Sequence, residues 1–137
     1  MTKIFVVDDS ETVREKVKSC LTEAGYEVTE ANNGEHAFKK LSSHPDIDLI
    51  VCDINMPKMN GIEFCEAISK NPSFKKLPVI MLTTESHAKM VLRAKKTNVV
   101  RAWVIKPFDN EKFKQLIDKT LEQVEQEREG EDEEEAS

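Results

Sequence analysis

Asp46-Ile47-Asp48-Leu49-Ile50-Val51-Cys52-Asp53-Ile54-Asn55-Met56-Pro57-Lys58-Met59-Asn60-Gly61 decides how this chain is read. Leu49 to Cys52 is a short, unbroken apolar run. A run of that length fits a strand buried on both faces, as in a parallel sheet covered by helices. It ends in a single carboxylate, Asp53. Pro57 then forbids an immediate helix, because it lacks an N–H and biases Met56 away from the α region. Asn60-Gly61 supplies turn or cap chemistry before the next apolar helical pattern. An acid therefore stands where a buried strand opens into a loop, and in open α/β sheets ligands bind outside the carboxyl ends of the strands.

The same grammar recurs on both sides. Lys3 to Val7 is an apolar strand that ends in Asp8-Asp9, and Ser10 is a good N-cap for a helix with Val13, Val17, Cys20, Leu21 and Ala24 at helical spacing. Gly25 ends that helix. Tyr26 to Ala31 alternates and predicts a strand with one more exposed face. Asn32-Asn33-Gly34 is a turn, followed by a helix with Ala37, Phe38 and Leu41 inward. After the central strand, Asp48 to Cys52, a helix is predicted from Ile62, Phe64, Cys65 and Ile68, and Asn71-Pro72 stops it. Leu77 to Leu82 is a further buried strand, running into Thr83-Thr84. Glu85 to Lys96 predicts a helix from a weak stripe. Val99 to Ile105 is a strand leading into Lys106-Pro107-Phe108. Asp109 caps a last helix with Phe113, Leu116, Ile117, Leu121 and Val124 on one face. Strand and helix alternate five times, which implies right-handed crossovers and one α/β domain, a doubly wound parallel sheet of five strands with helices on both faces.

Composition narrows the class. With 39% hydrophobic and 34% charged residues the chain reads as a soluble globular protein, and no apolar run approaches the ~20 residues of a membrane helix. The first residues turn acidic too soon for a secretory signal, so the expected location is cytoplasmic. Cys20, Cys52 and Cys65 are odd in number, widely spaced and without metal-ligand spacing, and read as buried reduced thiols. The net charge of −6 is uneven: residues 122–137 hold nine acids and one base, Arg128, for a segment charge of −8, which leaves +2 for the rest. The domain is expected over 1–124. The stretch 125–137 offers no core-forming residue and is expected to be a disordered acidic tail or a frayed helix end. It reads as a solvating appendage; engagement of a basic partner is the alternative.

Four strands end in groups of one kind: Asp8-Asp9, Asp53, Thr83 and Lys106. In a parallel sheet these ends share an edge. Clustered carboxylates repel and raise each other's pKa values unless a cation joins them. Oxygen ligands suit a hard divalent ion, and Mg²⁺ where phosphate is handled. Lys106 and the Thr83 hydroxyl are the groups needed to hold the oxygens of a transferring phosphoryl group. A carboxylate can itself be the nucleophile, and Asp53 is the candidate. Singly, each residue has a plainer role as cap, turn former or surface charge. Their coincidence at four strand ends carries the functional reading.

These residues form a recognisable set. Val6-Val7-Asp8-Asp9-Ser10, Asp53-Ile54-Asn55-Met56-Pro57 with Met59-Asn60-Gly61, Pro78 to Thr83, and Lys106-Pro107-Phe108 resemble the receiver domain of two-component response regulators, over about residues 3–124. The resemblance implies a flavodoxin-like sheet in the order 2-1-3-4-5. It implies Asp53 as phosphoacceptor and Mg²⁺ held by the Asp9 and Asp53 carboxylates and the backbone carbonyl of Asn55, with Asp8 acting through water. It further implies Lys106 on the acyl phosphate, a cis Lys106–Pro107 bond, Thr83 moving toward the phosphoryl oxygen, and Trp103 as an aromatic switch. Asn55 and Glu85 look like the lifetime-tuning positions of chemotaxis-type regulators and imply a short-lived phosphoryl group. Two positions depart from many relatives: Thr84 replaces a small residue, and Thr97-Asn98-Val99 lacks a glycine, where Asn98 can supply a left-handed turn.

The function expected is a single-domain switch, not an enzyme acting on an external substrate. A histidine kinase would donate the phosphoryl group, and a target protein would bind the face made by helix 4, strand 5 and helix 5, with chemotaxis or motility as the setting. A monomer is expected. The acidic tail disfavours nucleic acid. The near alternative is a phosphorelay intermediate passing the group to a histidine phosphotransfer protein. An aspartyl-phosphate phosphohydrolase fits less well, because Asn55 stands where a general acid is needed and no length remains for a cap. A flavin or nucleotide module fits less well again, because Asp8-Asp9-Ser10-Glu11-Thr12 is acidic and has no glycine-rich phosphate loop.

Overall fold

Five strands form a parallel sheet whose three central strands are apolar and buried on both faces, while the two edge strands stay partly exposed. The computed structural model describes residues 1–136, with side-chain surroundings through Glu131. The elements are β1 (Lys3–Val7), α1 (Glu11–Glu23), β2 (Glu27–Ala31), α2 (Gly34–Ser43), β3 (Leu49–Cys52), α3 (Gly61–Ser69), β4 (Val79–Thr83), α4 (Ala88–Lys95), β5 (Val100–Ile105) and α5 (Asn110–Ala136). The sheet order is β2-β1-β3-β4-β5, with every pair parallel. Chain order reverses direction between β1 and β3, which is where this architecture opens its ligand crevice.

Alternation along each central strand feeds two cores. Phe5, Val7, Ile50, Cys52, Val79 and Met81 point to one side, against Ala37 and Leu41 of α2 and Ile62, Phe64, Cys65 and Ile68 of α3. Ile4, Val6, Leu49, Val51, Ile80 and Leu82 point to the other, against Val17, Cys20 and Leu21 of α1 and Phe113 and Ile117 of α5. All three cysteines are free and buried. Among the described residues no helix is long and apolar enough to cross a membrane.

The local signals act as their chemistry suggests. The Ser10 hydroxyl accepts from the Val13 N–H, the Asn33 side chain from His36 N–H, and the Asp109 carboxylate from Lys112 N–H. Asn60 and Glu63 form a reciprocal capping box at the start of α3. Asn98 takes a left-handed φ of 63°, which makes the turn before β5, and Lys106–Pro107 is cis. Lys58 also has a positive φ, 69°, a position the sequence pattern does not mark.

Two expectations change. The helix predicted over Glu85 to Lys96 begins only at Ala88. The backbone of Glu85 is engaged elsewhere: its N–H donates to the Thr83 hydroxyl, and its carbonyl accepts from the Trp103 indole. The second change is at the C-terminus. The stretch 125–137 is expected to be disordered or frayed, whereas α5 continues as helix to Ala136; Ser137 lies outside the described residues. Glu, Gln and Arg are good helix formers, and two contacts hold the extension in place. Arg101 pairs with Glu127 and Lys76 with Glu131.

The loop after β3 is closed by backbone packing. The Gly61 N–H donates to the Ile54 carbonyl, and a Cβ on Gly61 would lie 2.0 Å from the Asp53 carbonyl oxygen. No side chain fits there without moving the backbone that carries Asp53. Gly61→Ala is therefore expected to lower stability by about 2 kcal/mol or more, as overpacking against fixed backbone does. Urea denaturation checks it; an unchanged midpoint would show that the loop yields freely.

Candidate functional site

At the carboxyl ends of β1, β3, β4 and β5 the chain gathers an acid-rich pocket. Asp8 follows β1 and is 2% exposed; Asp53 follows β3 and is 6% exposed; Thr83 closes β4 and is fully buried. Asp9 faces solvent. One carboxylate oxygen from each of Asp8, Asp9 and Asp53 lies within 4.8 Å of the others. Three acids at that spacing repel one another, and a nearby cation relieves that repulsion.

Lys106 is that cation within the chain. It follows β5 and reaches across β4, placing Nζ 2.8 Å from Asp8 Oδ2 and 3.4 Å from Asp53 Oδ2. The remaining oxygens are also engaged. Asp8 Oδ1 accepts from Ser10 N–H and Asp53 Oδ1 from Ile54 N–H. The Arg14 guanidinium donates to the Asp8 carbonyl at 2.6 Å and lies 3.5 Å from Glu30, so it braces the β1 end from outside the pocket. Its position on α1 gives no periodic signal, and sequence reading misses it. The close approach of Gly61 to Asp53 is missed for the same reason: only the fold brings them together.

The balance of these contacts sets the direction in which the Asp53 and Lys106 pKa values are displaced. Burial first, and the Asp8 charge second, push the Asp53 carboxyl above its ordinary range; Lys106, the Ile54 N–H and the Thr83 hydroxyl oppose that rise without cancelling it. Burial works against the Lys106 charge, yet Asp8 and Asp53 together hold its pKa above the usual lysine value. The contacts with Asp8 and Asp53 thus favour the charged Lys106 amine, whose charge only partly offsets the burial and repulsion at Asp53. All three acids offer oxygen donors, and one of them faces water. That set fits a hard divalent cation such as Mg²⁺.

The remaining candidates line the mouth. The Asn55 amide donates to Glu85 Oε1 at 3.1 Å, and His87 lies 3.6 Å from Glu85 Oε2. Trp103 packs partly against the core beneath α2 and α3, while its Nε1–H donates to the Glu85 carbonyl at 2.7 Å. The segment after Thr83 is thus held from two sides, by the Thr83 hydroxyl and by the β5 indole.

A carboxyl whose folded-state pKa is raised costs stability once it ionises. The contribution is complete below the unfolded pKa and is lost as pH rises through the folded value. In buffer free of divalent cations, Asp53→Asn is therefore expected to be more stable than the parent at pH 7. The gain should fade as pH falls toward and below ~4, the ordinary carboxylate range. Denaturation midpoints of both proteins across pH test this. A less stable variant at pH 7 would mean that Lys106 overcompensates the acid pair.

Comparison with known proteins agrees with this geometry. The family model described as the response regulator receiver domain matches residues 4–118. The chain is 38% identical over 120 residues to the chemotaxis protein CheY1 of Helicobacter pylori, covering 87% of this chain and 96% of that one. Among solved structures it resembles the chemotaxis protein CheY4 of Vibrio cholerae, with a TM-score of 0.78 and 38% identity over 90% of this chain and 98% of that one. It also resembles a CheX–CheY–BeF₃–Mg²⁺ complex from Borrelia burgdorferi, with a TM-score of 0.78 and 29% identity over 85% and 86% of the two chains. A five-stranded sheet in the order 2-1-3-4-5, an acid cluster at its switch point and a lysine reaching in from the last strand converge on one conclusion: the chain belongs to the response regulator receiver domain family.

Proposed function

We propose that this protein is a single-domain response regulator in which Asp53 accepts a phosphoryl group from a histidine kinase. The observation that carries the reading is Lys106 Nζ standing 3.4 Å from an Asp53 oxygen beside two further acids. One Asp53 oxygen attacks phosphorus, the N–P bond of the phosphohistidine breaks, and the histidine nitrogen keeps the bonding pair. Asp9, Asp53 and the Asn55 carbonyl would hold Mg²⁺, which supplies positive charge to the phosphoryl oxygens. Asp8, with both oxygens already bonded to Lys106 and the Ser10 N–H, would act on the ion through water. Lys106 exchanges part of its contact with Asp8 and Asp53 for a phosphoryl oxygen, and the Thr83 hydroxyl donates to another.

The signal leaves through the elements that Thr83 and Trp103 touch. When the Thr83 hydroxyl turns to the phosphoryl group, its bond from the Glu85 N–H is released, and the segment that Trp103 also holds is free to move. The receiving surface is α4–β5–α5, where Leu92 is 58% and Ile105 45% exposed. A target protein bound there, in chemotaxis or motility signalling, is the reading that the similarity to chemotaxis regulators supports; transfer to a histidine phosphotransfer protein in a phosphorelay is the variant. The protein would act as a cytoplasmic monomer, with self-catalysed phosphorylation and dephosphorylation and no other enzymatic role. A phosphohydrolase is disfavoured by Asn55, which cannot serve as general acid two residues after Asp53.

With Mg²⁺ and a small acyl-phosphate donor, the parent is expected to gain the mass of one phosphoryl group and to change its Trp103 fluorescence, and Asp53→Asn to show neither. An unaltered mass in the parent would remove the acceptor reading, and a mass gain without a fluorescence change would remove Trp103 as the switch. Asn55 and Glu85, hydrogen-bonded to each other, would orient an attacking water. Asn55→Ala with Glu85→Ala should prolong the phosphoryl group several-fold, as followed by phosphate release; an unaltered decay would place water activation elsewhere.

A further inference from the structure

The acidic end of α5 is docked. Phe113, Ile117, Thr120 and Val124 form the inward stripe of α5 and are buried. The same spacing continues to Glu127 and Glu131, so the stripe changes from apolar to acidic where it passes the end of the sheet away from Asp53. Each acid meets a cation there. Arg101 donates to Glu127 through two nitrogens, at 2.8 and 2.7 Å, and Lys76 Nζ lies 2.9 Å from Glu131. Arg101 is placed for this by an irregularity in the β4–β5 register. Val79 pairs with Val100 and Ile80 with Ala102, so Arg101 is the extra residue of a bulge, which re-aims a side chain.

Lys75, Lys76, Arg101 and Arg128 line one shallow cleft of about 120 Å³ with Glu127 and Glu131. From outside α5, Lys75, Lys76 and Arg101 face Glu127 and Glu131 across the cleft, so the surface beneath the acidic helix is cationic. The pairs that seat it are exposed, with Glu127 53% and Glu131 54% accessible at the side chain. Exposed ion pairs are individually weak and screened by salt. A cationic cleft covered by a weakly held acidic helix of the same chain already displays the kind of ligand it accepts.

We propose that this cleft is a second protein-binding surface, distinct from the Asp53 site, which takes an acidic helical segment of a partner protein, and that residues 127–131 occupy it in cis as a competitor. Tethering gives the internal segment a high effective concentration, so a partner binds only where its acidic segment is longer or better matched. The surface lies at the opposite end of the sheet from Asp53, and partner binding there leaves the acid cluster open.

The test uses the full chain and a fluorescently labelled oligoglutamate peptide, read by anisotropy at low salt. Glu127→Gln with Glu131→Gln should bind the peptide several-fold more tightly than the parent. A control of equal net charge, Glu15→Gln with Glu27→Gln, should bind as the parent does. Adding Lys76→Glu and Arg101→Glu to the first variant should abolish binding, as should salt near 1 M, where the screening length falls to ~3 Å. Equal affinity of the parent and the first variant, a matching gain in the control, or binding that survives the charge reversals would each overturn the proposal. Tighter binding of a single-stranded oligonucleotide of equal charge would replace the acidic-protein partner with nucleic acid. Circular dichroism melts of every variant separate loss of the cleft from loss of the fold.

Discussion

Lys106 against the buried pair Asp8 and Asp53 is the interaction on which the rest of the structure depends. Two carboxylates at adjacent strand ends, both nearly excluded from water, repel each other and resist ionisation. The fold tolerates them because a lysine from the far strand spans β4 to reach both, and because backbone N–H groups of the following turns bind their remaining oxygens. The compensation is incomplete, as the upward displacement of Asp53 shows. A site held in that condition favours added positive charge.

The strand that leads to Lys106 links more than the acid pair. Along β5, Arg101 reaches Glu127 of α5, Trp103 holds the Glu85 carbonyl, Ile105 stands exposed, and Lys106 follows at the end. Three regions therefore hang from one edge strand: the acid cluster that Lys106 reaches, the segment between β4 and α4, and the acidic end of α5. An edge strand is suited to this, because one side of its backbone carries no partner strand and its side chains can reach around to helices on either face. The short α4, with only Ala94 fully buried, is correspondingly the helix least anchored to the core.

The strands and most of the site could be read from the chain because their causes are local or periodic. Continuous apolar runs of four to six residues fit buried strands in a helix-covered sheet, and capping residues mark where α1, α2, α3 and α5 begin. Asp53, Asp8, Thr83 and Lys106 stand out because they are polar groups at apolar strand ends. Two readings miss because their causes lie elsewhere in the chain. The segment from Glu85 to His87 looks helical by spacing, yet its backbone groups are claimed by Thr83 and Trp103. The segment after Val124 looks unstructured by composition, yet its acids meet Arg101 and Lys76 from other elements.

The sequence by itself determined the order of the elements, the two-sided burial of the central strands and the identity of the groups at their ends, since each follows from hydrophobic period and backbone chemistry within about ten residues. Only the tertiary structure decided that Lys106 sits on both Asp8 and Asp53, that Gly61 packs on the Asp53 backbone, that Arg14 braces the β1 end, and that a register irregularity turns Arg101 toward α5. Those contacts join residues tens of positions apart. Their distances depend on strand order, crossover hand and helix placement together, which no local pattern encodes.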